Sequence, residues 1–415
     1  MRPMRSLGWY FVLMFAAVAP LGCSDDGKGV PGGSGGAKNA DGSFAGQGGN
    51  LPDNPTTGGN PVVTGGTPSS GGSTGTGGAL ATGGSLAGTG GATTTGGTPD
   101  AGPHDTTTDT MPDTTPDTTT TNPCPGATQT LGVGSGQTYA TVQAAVNAVS
   151  AGNSKLIQIS IKAGTYKEQV TIDKPLVCLT GESATTTIIT NALGTNIVTG
   201  GTVIVTGNDF SAANLAFQNT GGDGSGQAVA LMAKGLRQQF RDCSFLSYQD
   251  TLYTNTGTQF FKDCFIQGDT DYIFGDATAV FENCTMNNIA EGTAVTAPRT
   301  PQNTTYGFVF LGGSLTANPT TSTVRPSHVF LGRPWGPYAA ATFLNVTMGA
   351  HIHVDGWTTM SGNTLASTRF SEYKSTGAGA SPTNGTRSPR QLNDALAANY
   401  TVAKVLSPWT PGYSQ

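Results

Sequence analysis

Two aspartates, Asp250 and Asp271, stand in aromatic-rich stretches of the chain, YQDTLY (248–253) and GDTDYIFG (268–275). Two neighbouring carboxyls can divide the work of a reaction, because their repulsion raises one pKa while the other is held down. One then serves as an acid and the other as a base or nucleophile. The two lie 21 positions apart, too far to share a helix face or a strand, so the fold must bring them together.

A repeat in the middle of the chain suggests how. FRDC (240–243) is followed by FKDC (261–264) and FENC (281–284), with weaker echoes that begin at Phe217 and Phe343. Short strand-like runs broken by Gly, Asn and Asp lie between them, without a helical pattern. Such a period indicates a solenoid, and the leucine and asparagine frame of leucine-rich repeats is absent. The pattern therefore predicts an all-β fold, a parallel β-helix of coils of about 20–23 residues.

Equal offsets from the repeated phenylalanine predict equal positions on stacked coils. Asp250 and Asp271 each follow their phenylalanine by ten positions, as do Gln227 and Glu291. Since neighbouring strands lie about 4.8 Å apart, Gln227, Asp250 and Asp271 should align on one face, with the carboxylates about 5 Å apart. A single aspartate in a turn more often bonds the local backbone. Two aspartates in register on stacked coils instead favour a catalytic role.

The cysteines give no sign of a metal centre. Besides Cys23 there are five, and none belongs to a CxxC pair, which leaves a zinc or haem site without support. The three cysteines of the repeat should stack inside the coils as free thiols. The odd number leaves at least one cysteine unpaired in a monomer. The sequence does not decide the state of the full set, Cys124, Cys178, Cys243, Cys264 and Cys284.

One folded domain is predicted, over residues 126–415. Its single helix-like run, residues 139–149, places Val142, Ala145, Val146 and Val149 on one face. A solenoid would otherwise expose its core at its first coil. We therefore expect this helix to cap the N-terminal end of the β-helix.

The N-terminal third indicates export. Residues 1–22 predict a signal peptide of the lipoprotein type, with Cys23 as the lipidated residue. Residues 23–125, rich in Gly, Thr, Ser and Pro, predict a disordered linker, because they lack the apolar side chains needed to form a core. We expect an exported protein anchored by lipid at the outer membrane or cell surface, or else secreted.

The net charge and the short motifs limit the kinds of ligand that the protein is expected to bind. The net charge of −5, without a cluster of Lys or Arg, argues against nucleic acid. His351 and His353 could form a metal pair, but no third ligand is in view, and a surface or substrate-rim role is expected. Asp269 with Asp271 resembles a calcium-type DxD, but Asp269 is expected to serve the turn. We expect no metal, no cofactor and a monomer.

Four blocks in order resemble the signature blocks of the pectin methylesterases. They are GQAVAL (226–231), YQDTLY (248–253), GDTDYIFG (268–275) and LGRPWGPY (331–338), within a similarity that covers about residues 129–412. The resemblance implies a right-handed parallel β-helix that hydrolyses the methyl ester of pectin without a metal. Gly226 and Met232 depart from the His and Arg that plant members usually have, which leaves substrate detail open.

The resemblance also implies roles for individual residues. Asp271 would be the nucleophile, and Asp250 the general acid that then activates water. Gln227 and Gln249 would donate hydrogen bonds to the oxyanion, and Arg333 would keep Asp271 charged.

For the sugar rings, the resemblance implies that Trp335 and Trp357 offer apolar faces, and we count Tyr272 with them. Other functions stay open at this point. They are a polysaccharide lyase or glycosidase on the same fold, an esterase or thioesterase with another acyl substrate, and a carbohydrate-binding solenoid without activity.

Overall fold

The computed structural model describes residues 122–194, 197, 200–222, 226–317 and 324–414. The predicted signal peptide, Cys23 and nearly all of the predicted linker lie outside the described residues. The folded part begins slightly earlier than residue 126, since Cys124 is buried and forms a disulfide with Cys178. Among the described residues, no helix is both long and apolar enough to span a bilayer.

Three parallel sheets form the wall of a solenoid, and each coil contributes one strand to each sheet in turn. The strands of sheet A are Gln129–Val133, Ile157–Ile161, Val177–Thr180, Ser211–Ala213, Gln238–Arg241, Thr258–Lys262, Thr278–Glu282, Phe308–Leu311, Ala340–Leu344 and Arg369–Tyr373. The strands of sheet B are Gly164–Lys167, Thr187–Asn191, Ala216–Asn219, Ser244–Leu246, Phe265–Gly268, Thr285–Asn288, Ser314–Ala317 and Thr347–Met348. The strands of sheet C are Val170–Ile172, Val203–Val205, Leu231–Ala233, Leu252–Thr254, Ile273–Gly275, Ala294–Pro298 and Phe330–Gly332. The predicted right-handed parallel β-helix is confirmed.

The repeated motif marks the corner between sheets A and B. Its phenylalanine points inward, the next residue points outward, and the Asp or Asn that follows turns the chain. Asp242, Asp263 and Asn283 each have a φ of 52°, the left-handed conformation that Asn and Asp adopt more readily than most residues. The cysteine after each turn points back into the core. The motif is therefore the chemical signature of one corner of the coil.

Phenylalanines stack inside this wall. The pairings Phe240–Phe261 and Phe261–Phe281 follow the predicted register, with ring centroids 4.8 Å apart in both cases. Phe310 and Phe343 extend the column toward the C-terminal end. The cysteines beside the column are buried and unpaired, which confirms the predicted free thiols of the repeat.

Helices cover one end and one face of the solenoid. The predicted cap is confirmed as helix α1, Val142–Ala148, which packs against the first strands of sheets A and C. Its N-terminal amides donate to the Glu168 carboxylate at 2.8 and 2.9 Å. The C-terminal segment, with α2 (Asp394–Ala397), α3 (Val402–Val405) and the 3-10 turns Ser388–Arg390 and Gly412–Ser414, packs on the outer face of sheet A.

Candidate active site

The two aspartates lie one above the other at the corner between sheets B and C. Leu252 pairs with Ile273 in sheet C, so Asp250 and Asp271, each two residues earlier, occupy equivalent places in successive coils. The Asp250 amide donates to the Thr270 carbonyl at 3.1 Å. Both aspartates are in the left-handed conformation, with φ of 62° and 51°. Their alignment follows from the coil, as the repeat predicted.

Arg333 reaches the pair from a later coil. Its Nε donates to Asp271 Oδ1 at 2.9 Å and its second terminal nitrogen donates to Oδ2 at 2.7 Å. The Asp271 side chain is 4% exposed, whereas that of Arg333 is 21% exposed. The ion pair therefore faces the outside on the arginine side, where a ligand could approach.

The pKa values of the two carboxyls are shifted by partly different causes. Burial and the charge of Asp271 together raise the pKa of Asp250 well above its usual range. Burial also raises the pKa of Asp271, although the Arg333 guanidinium opposes that rise. The expectation that one pKa is held down is therefore wrong in direction, because desolvation outweighs the ion pair. Among these two carboxyls the Arg333 guanidinium bonds Asp271, which favours the charged form of that residue.

Gln227 is present, though in a different register from the one predicted. Phe217 pairs with Phe245 in sheet B, and Gln227 forms a backbone bridge with Gln249. Phe217 is thus equivalent to Phe245 and not to the repeat phenylalanine Phe240, which pairs with Ala212, so the echo expected at Phe217 is wrong. The turn before sheet C is also longer in this coil, and the two differences nearly cancel, so that counting from Phe217 misses by one position. Gln227 Nε2 nevertheless donates to Asp250 Oδ2 at 2.7 Å. The Gln227 side chain therefore contacts the aspartate pair, although its backbone lies one position from the expected place.

Glu291, ten residues after its phenylalanine, does not join the pair. Its carboxylate accepts from Nε and a terminal nitrogen of Arg325 at 2.6 and 2.7 Å. That ion pair lowers the pKa of Glu291 to about 2. Gln249, by contrast, lies directly before Asp250 and is half-buried beside Gln227.

The structure corrects two of the three predicted sugar-binding residues. The Tyr272 ring is fully buried, and its hydroxyl donates to Asn288 Oδ1 at 3.1 Å. Trp357 is 2% exposed and stacks on Phe370, with ring centroids 4.4 Å apart. Neither residue lies within a strand, and both rings belong to the hydrophobic core inside the solenoid. Neither presents a face to a ligand.

Trp335 is different, and two neighbours that the sequence analysis missed accompany it. It is half-exposed, and its ring lies 6.3 Å from Tyr253 and 5.9 Å from Phe274 between centroids. Tyr253 and Phe274 stack at 4.3 Å on the outer face of sheet C. Each follows its aspartate by three positions, so the same offset rule could have found them. The aromatic cluster borders the aspartates.

Neither the His351–His353 pair nor the DxD pattern belongs to a metal-binding group in the part of the chain that the structure describes. Burial lowers the pKa of His351 to about 4, and the ring of His353 stacks on Phe330 at 4.2 Å. Within the described ranges, no group of three or more His, Cys, Asp or Glu side chains is arranged to hold a metal ion. Burial and ring stacking account for the two histidines.

Comparison with known proteins agrees with this geometry. The family model described as Pectinesterase matches residues 131–408. Pectinesterase 31 of Arabidopsis thaliana is 32% identical over 292 residues, which cover 66% of this chain and 90% of that protein. Pectinesterase 1 of Citrus sinensis is 38% identical over 262 residues, which cover 60% of this chain but only 44% of the longer relative.

A solved structure shares the architecture. The crystal structure of a pectin methylesterase in complex with a hexasaccharide superposes with a TM-score of 0.60 at 34% identity, covering 68% of this chain and 98% of that one. The matched range, residues 131–408, spans most of the part of the chain that the structure describes. The chain therefore belongs to the pectinesterase family.

Proposed function

We propose that this protein hydrolyses the methyl esters of galacturonate units in pectin, with Asp271 as the nucleophile and Asp250 as general acid and base. The observation that carries the proposal is the buried Asp271, held by the Arg333 guanidinium directly beside a second carboxyl, Asp250, whose pKa is raised by burial and by the charge of Asp271. An ionised nucleophile next to a protonated acid is the arrangement that ester cleavage by carboxylates requires. The hexasaccharide complex of the related enzyme supports a sugar chain as the ligand.

In the first half of the reaction, an oxygen of Asp271 attacks the ester carbonyl carbon, and the carbonyl oxygen becomes an oxyanion. Gln227 has one amide hydrogen on Asp250 and a second available, because a carboxamide nitrogen carries two donors. That second hydrogen and the Gln249 amide stabilise the oxyanion. When the intermediate collapses, the C–O bond to methoxide breaks and Asp250 donates its proton, so methanol leaves.

The second half releases the acid product. The galacturonyl group is then joined to Asp271 as an anhydride, and Asp250 has become a carboxylate. Asp250 takes a proton from water, whose oxygen attacks the galacturonyl carbonyl. The bond to Asp271 breaks, and both aspartates return to their initial states. Arg333 stabilises the carboxylate of Asp271 at both ends of the cycle.

The sugar chain is proposed to lie on the aromatic cluster of Trp335, Tyr253 and Phe274. Only Trp335 is half-exposed, and the other two support it from the outer face of sheet C. An aromatic face matches the apolar face of a sugar ring and leaves its hydroxyls in water. The cluster borders Asp250 and Asp271, so a ring bound there places its neighbour at the reacting carboxyls.

Product identity on methylated polygalacturonate tests the reaction. We expect methanol in proportion to newly formed carboxylates, and the same rate in the presence of EDTA. Unsaturated uronide would identify a lyase, and new reducing ends a glycosidase. Binding without turnover would identify a carbohydrate-binding module. Any of these three results without methanol would overturn the proposal.

We also propose that residues 1–22 direct export and that Cys23 is lipidated, which would tether the enzyme through residues 23–125. The support is the sequence alone, a charged start followed by an apolar run and small residues before Cys23. Labelled palmitate should be incorporated into the full chain and lost in Cys23→Ser. Unlabelled protein in the culture medium would instead identify simple secretion.

A further inference from the structure

A second column of side chains lies beside the aspartates. Gly275 pairs with Pro298 in sheet C, so the residues that follow, Asp276 and Arg299, lie one above the other in successive coils. The backbone amide of Trp335 donates to the Pro298 carbonyl at 3.1 Å, which places Trp335 next to Arg299 in the following coil. Three coils thus align a carboxylate, a guanidinium and an indole.

The contacts along this column are specific. The Arg299 guanidinium lies 4.1 Å from the centre of the Trp335 ring. Its Nε and one terminal nitrogen donate to the two oxygens of Asp276 at 2.8 and 3.1 Å. A planar guanidinium fixed at one edge by a carboxylate keeps its face free to stack on an aromatic ring. The ion pair thus presents the guanidinium to the indole.

The backbone supports the same arrangement. A Cβ at Gly336 would lie 2.7 Å from Cγ of Arg299, so the loop after Trp335 can close over the arginine stem because glycine stands there. The Arg299 amide donates to the Gly275 carbonyl at 2.8 Å, which fixes the base of the side chain. The tryptophan loop and the arginine are therefore fitted to each other.

We propose that Arg299, held by Asp276, is a positioning residue that fixes the indole of Trp335 for the sugar ring next to the cleaved ester. This inference rests on the proposed function, because it assigns the pair to substrate binding. Trp335 is the partly exposed member of the aromatic cluster, and its ring meets Tyr253 and Phe274 at interplanar angles of 61° and 57°, without parallel stacking. Without the guanidinium, one face of the ring loses its support and the ring samples other rotamers.

Kinetics of the full chain test the role. In Arg299→Ala, we expect KM for methylated pectin to rise about five- to tenfold, with kcat changed by less than about twofold. Asp276→Asn should raise KM in the same direction but less, since the guanidinium stays over the ring. Arg299→Lys keeps the charge and loses the planar stack, so it should fall between wild type and Arg299→Ala.

A matched control comes from the same fold. Arg237 and Asp209 form an equally two-pronged ion pair, at 2.6 and 2.8 Å, with 39% and 33% exposed side chains. Those of Arg299 and Asp276 are 42% and 23% exposed. No aromatic ring in the described residues stacks on Arg237. Arg237→Ala should leave KM unchanged, and a rise equal to that of Arg299→Ala would overturn the proposal.

A double-mutant cycle separates positioning from direct binding of the substrate. If Arg299 acts through the indole, Arg299→Ala adds nothing to the KM of Trp335→Ala. Additive effects would overturn the proposal. Tryptophan emission gives a readout that needs no substrate. Arg299→Ala should shift the emission, and the shift should vanish in the Trp335→Ala background. An unchanged spectrum overturns the pairing, whereas wild-type protein that releases no methanol overturns only the proposed function.

Discussion

Two buried carboxylate–arginine pairs of the same geometry lie in different regions of this molecule. Asp271 and Arg333 form one at the corner of sheets B and C, and Glu372 and Arg387 form the other near the last coil. In both, Nε and a terminal nitrogen of the arginine donate to the two carboxylate oxygens. The chemistry of the two pairs is nearly identical, and their surroundings differ.

The second pair closes the interior. Glu372 pairs in register with Phe343, so it takes the place of the next phenylalanine in the column. Arg387 is 0% exposed, and it also donates to the Gly379 carbonyl at 2.8 Å and to the Met348 sulfur at 3.3 Å. Its donors are occupied by the protein, which leaves this ion pair a structural part of the C-terminal end.

The Asp271–Arg333 pair is not enclosed in this way. Asp271 has a second carboxyl beside it, and Arg333 is partly exposed. A buried charge pair contributes little to stability by itself, but one with a second carboxyl beside it and an opening to solvent can bind and react with a ligand. The comparison teaches that a buried ion pair indicates a reaction only when a second reactive group and an opening to solvent accompany it.

The largest expected effect concerns the Asp271–Arg333 pair at the corner of sheets B and C. Asp271→Asn and Arg333→Ala should each lower methanol release at least about 10³-fold, because one removes the nucleophile and the other its charge partner. Both proteins should keep the far-ultraviolet spectrum and cooperative unfolding of the wild type. Appreciable release by Asp271→Asn would remove it from the nucleophile role.

The closed pair should respond in the opposite way. Arg387→Met leaves the Glu372 carboxylate buried without a partner, which should lower the free energy of unfolding by about 3–5 kcal/mol. The specific activity of the folded fraction should stay within about twofold of the wild type. Denaturant titration measures the first quantity. A loss below about 1 kcal/mol would show that water reaches Glu372 and that the two regions differ less than described.

At Asp250, we expect one substitution to lower the activity and to raise the stability of the protein. Asp250→Asn removes the general acid, so kcat should fall by about 10²–10³-fold. Burial raises the folded-state pKa of Asp250 above its unfolded value. The wild type therefore loses stability as the pH rises from the unfolded pKa through the folded pKa, whereas the amide does not ionise.

At neutral pH we accordingly expect Asp250→Asn to be more stable than the wild type by about 1–2 kcal/mol. The difference should disappear in acid, below the unfolded pKa of the carboxyl. In the wild type, methanol release should decline as the pH rises through the pKa of Asp250. Stability curves of the two proteins that run parallel across this pH range would refute the assignment of a raised pKa.

A smaller effect is expected at the oxyanion. Gln227→Ala should lower kcat about 10²-fold, in line with the loss of one oxyanion donor. It should change the free energy of unfolding by less than about 1 kcal/mol, because the side chain is half-buried and bonds only one carboxyl oxygen. Single-turnover measurements of methanol release give the comparison with the wild type. An unchanged turnover number would exclude Gln227 from the site.

The smallest effect concerns the core beneath the nucleophile. Tyr272→Phe removes the hydroxyl that donates to Asn288, so one buried acceptor loses its partner at a cost of about 1 kcal/mol in unfolding free energy. KM should not change, since the ring is buried. A large increase in KM would restore the sugar-binding role that the structure removes. Asn288→Leu in the same background should recover part of the lost stability.

Much of the fold could be predicted because one turn of the chain repeats one set of physical demands. An inward phenylalanine, an outward residue, a left-handed Asp or Asn and an inward cysteine recur at 240–243, 261–264 and 281–284. Where these corners are equally spaced, as for Asp250 and Asp271, counting from the phenylalanine predicts which side chains stack. The capping helix is predictable for the same reason, from its apolar spacing.

Counting fails where the turns change length or where direction matters. Gln227 lies one position from its expected place, because Phe217 is equivalent to Phe245 and not to Phe240 and the turn after it is longer. Trp357 and Tyr272 lie in blocks that resemble those of the family, but a block does not say which side of the wall a ring faces. The bond between Cys124 and Cys178 joins residues 54 positions apart, a contact that no local pattern encodes.

By itself, the sequence determined the coil, its stacking register around the two aspartates and the family of the chain, because each follows from a local period or an ordered motif. Only the tertiary structure decided which arginine is enclosed and which is open, which aromatic ring reaches the surface, and that Arg299 and Asp276 stand beneath Trp335. Those outcomes depend on how separate coils and the C-terminal segment meet. Packing sets the distances between these parts, and the spacing of residues along the chain does not encode those distances.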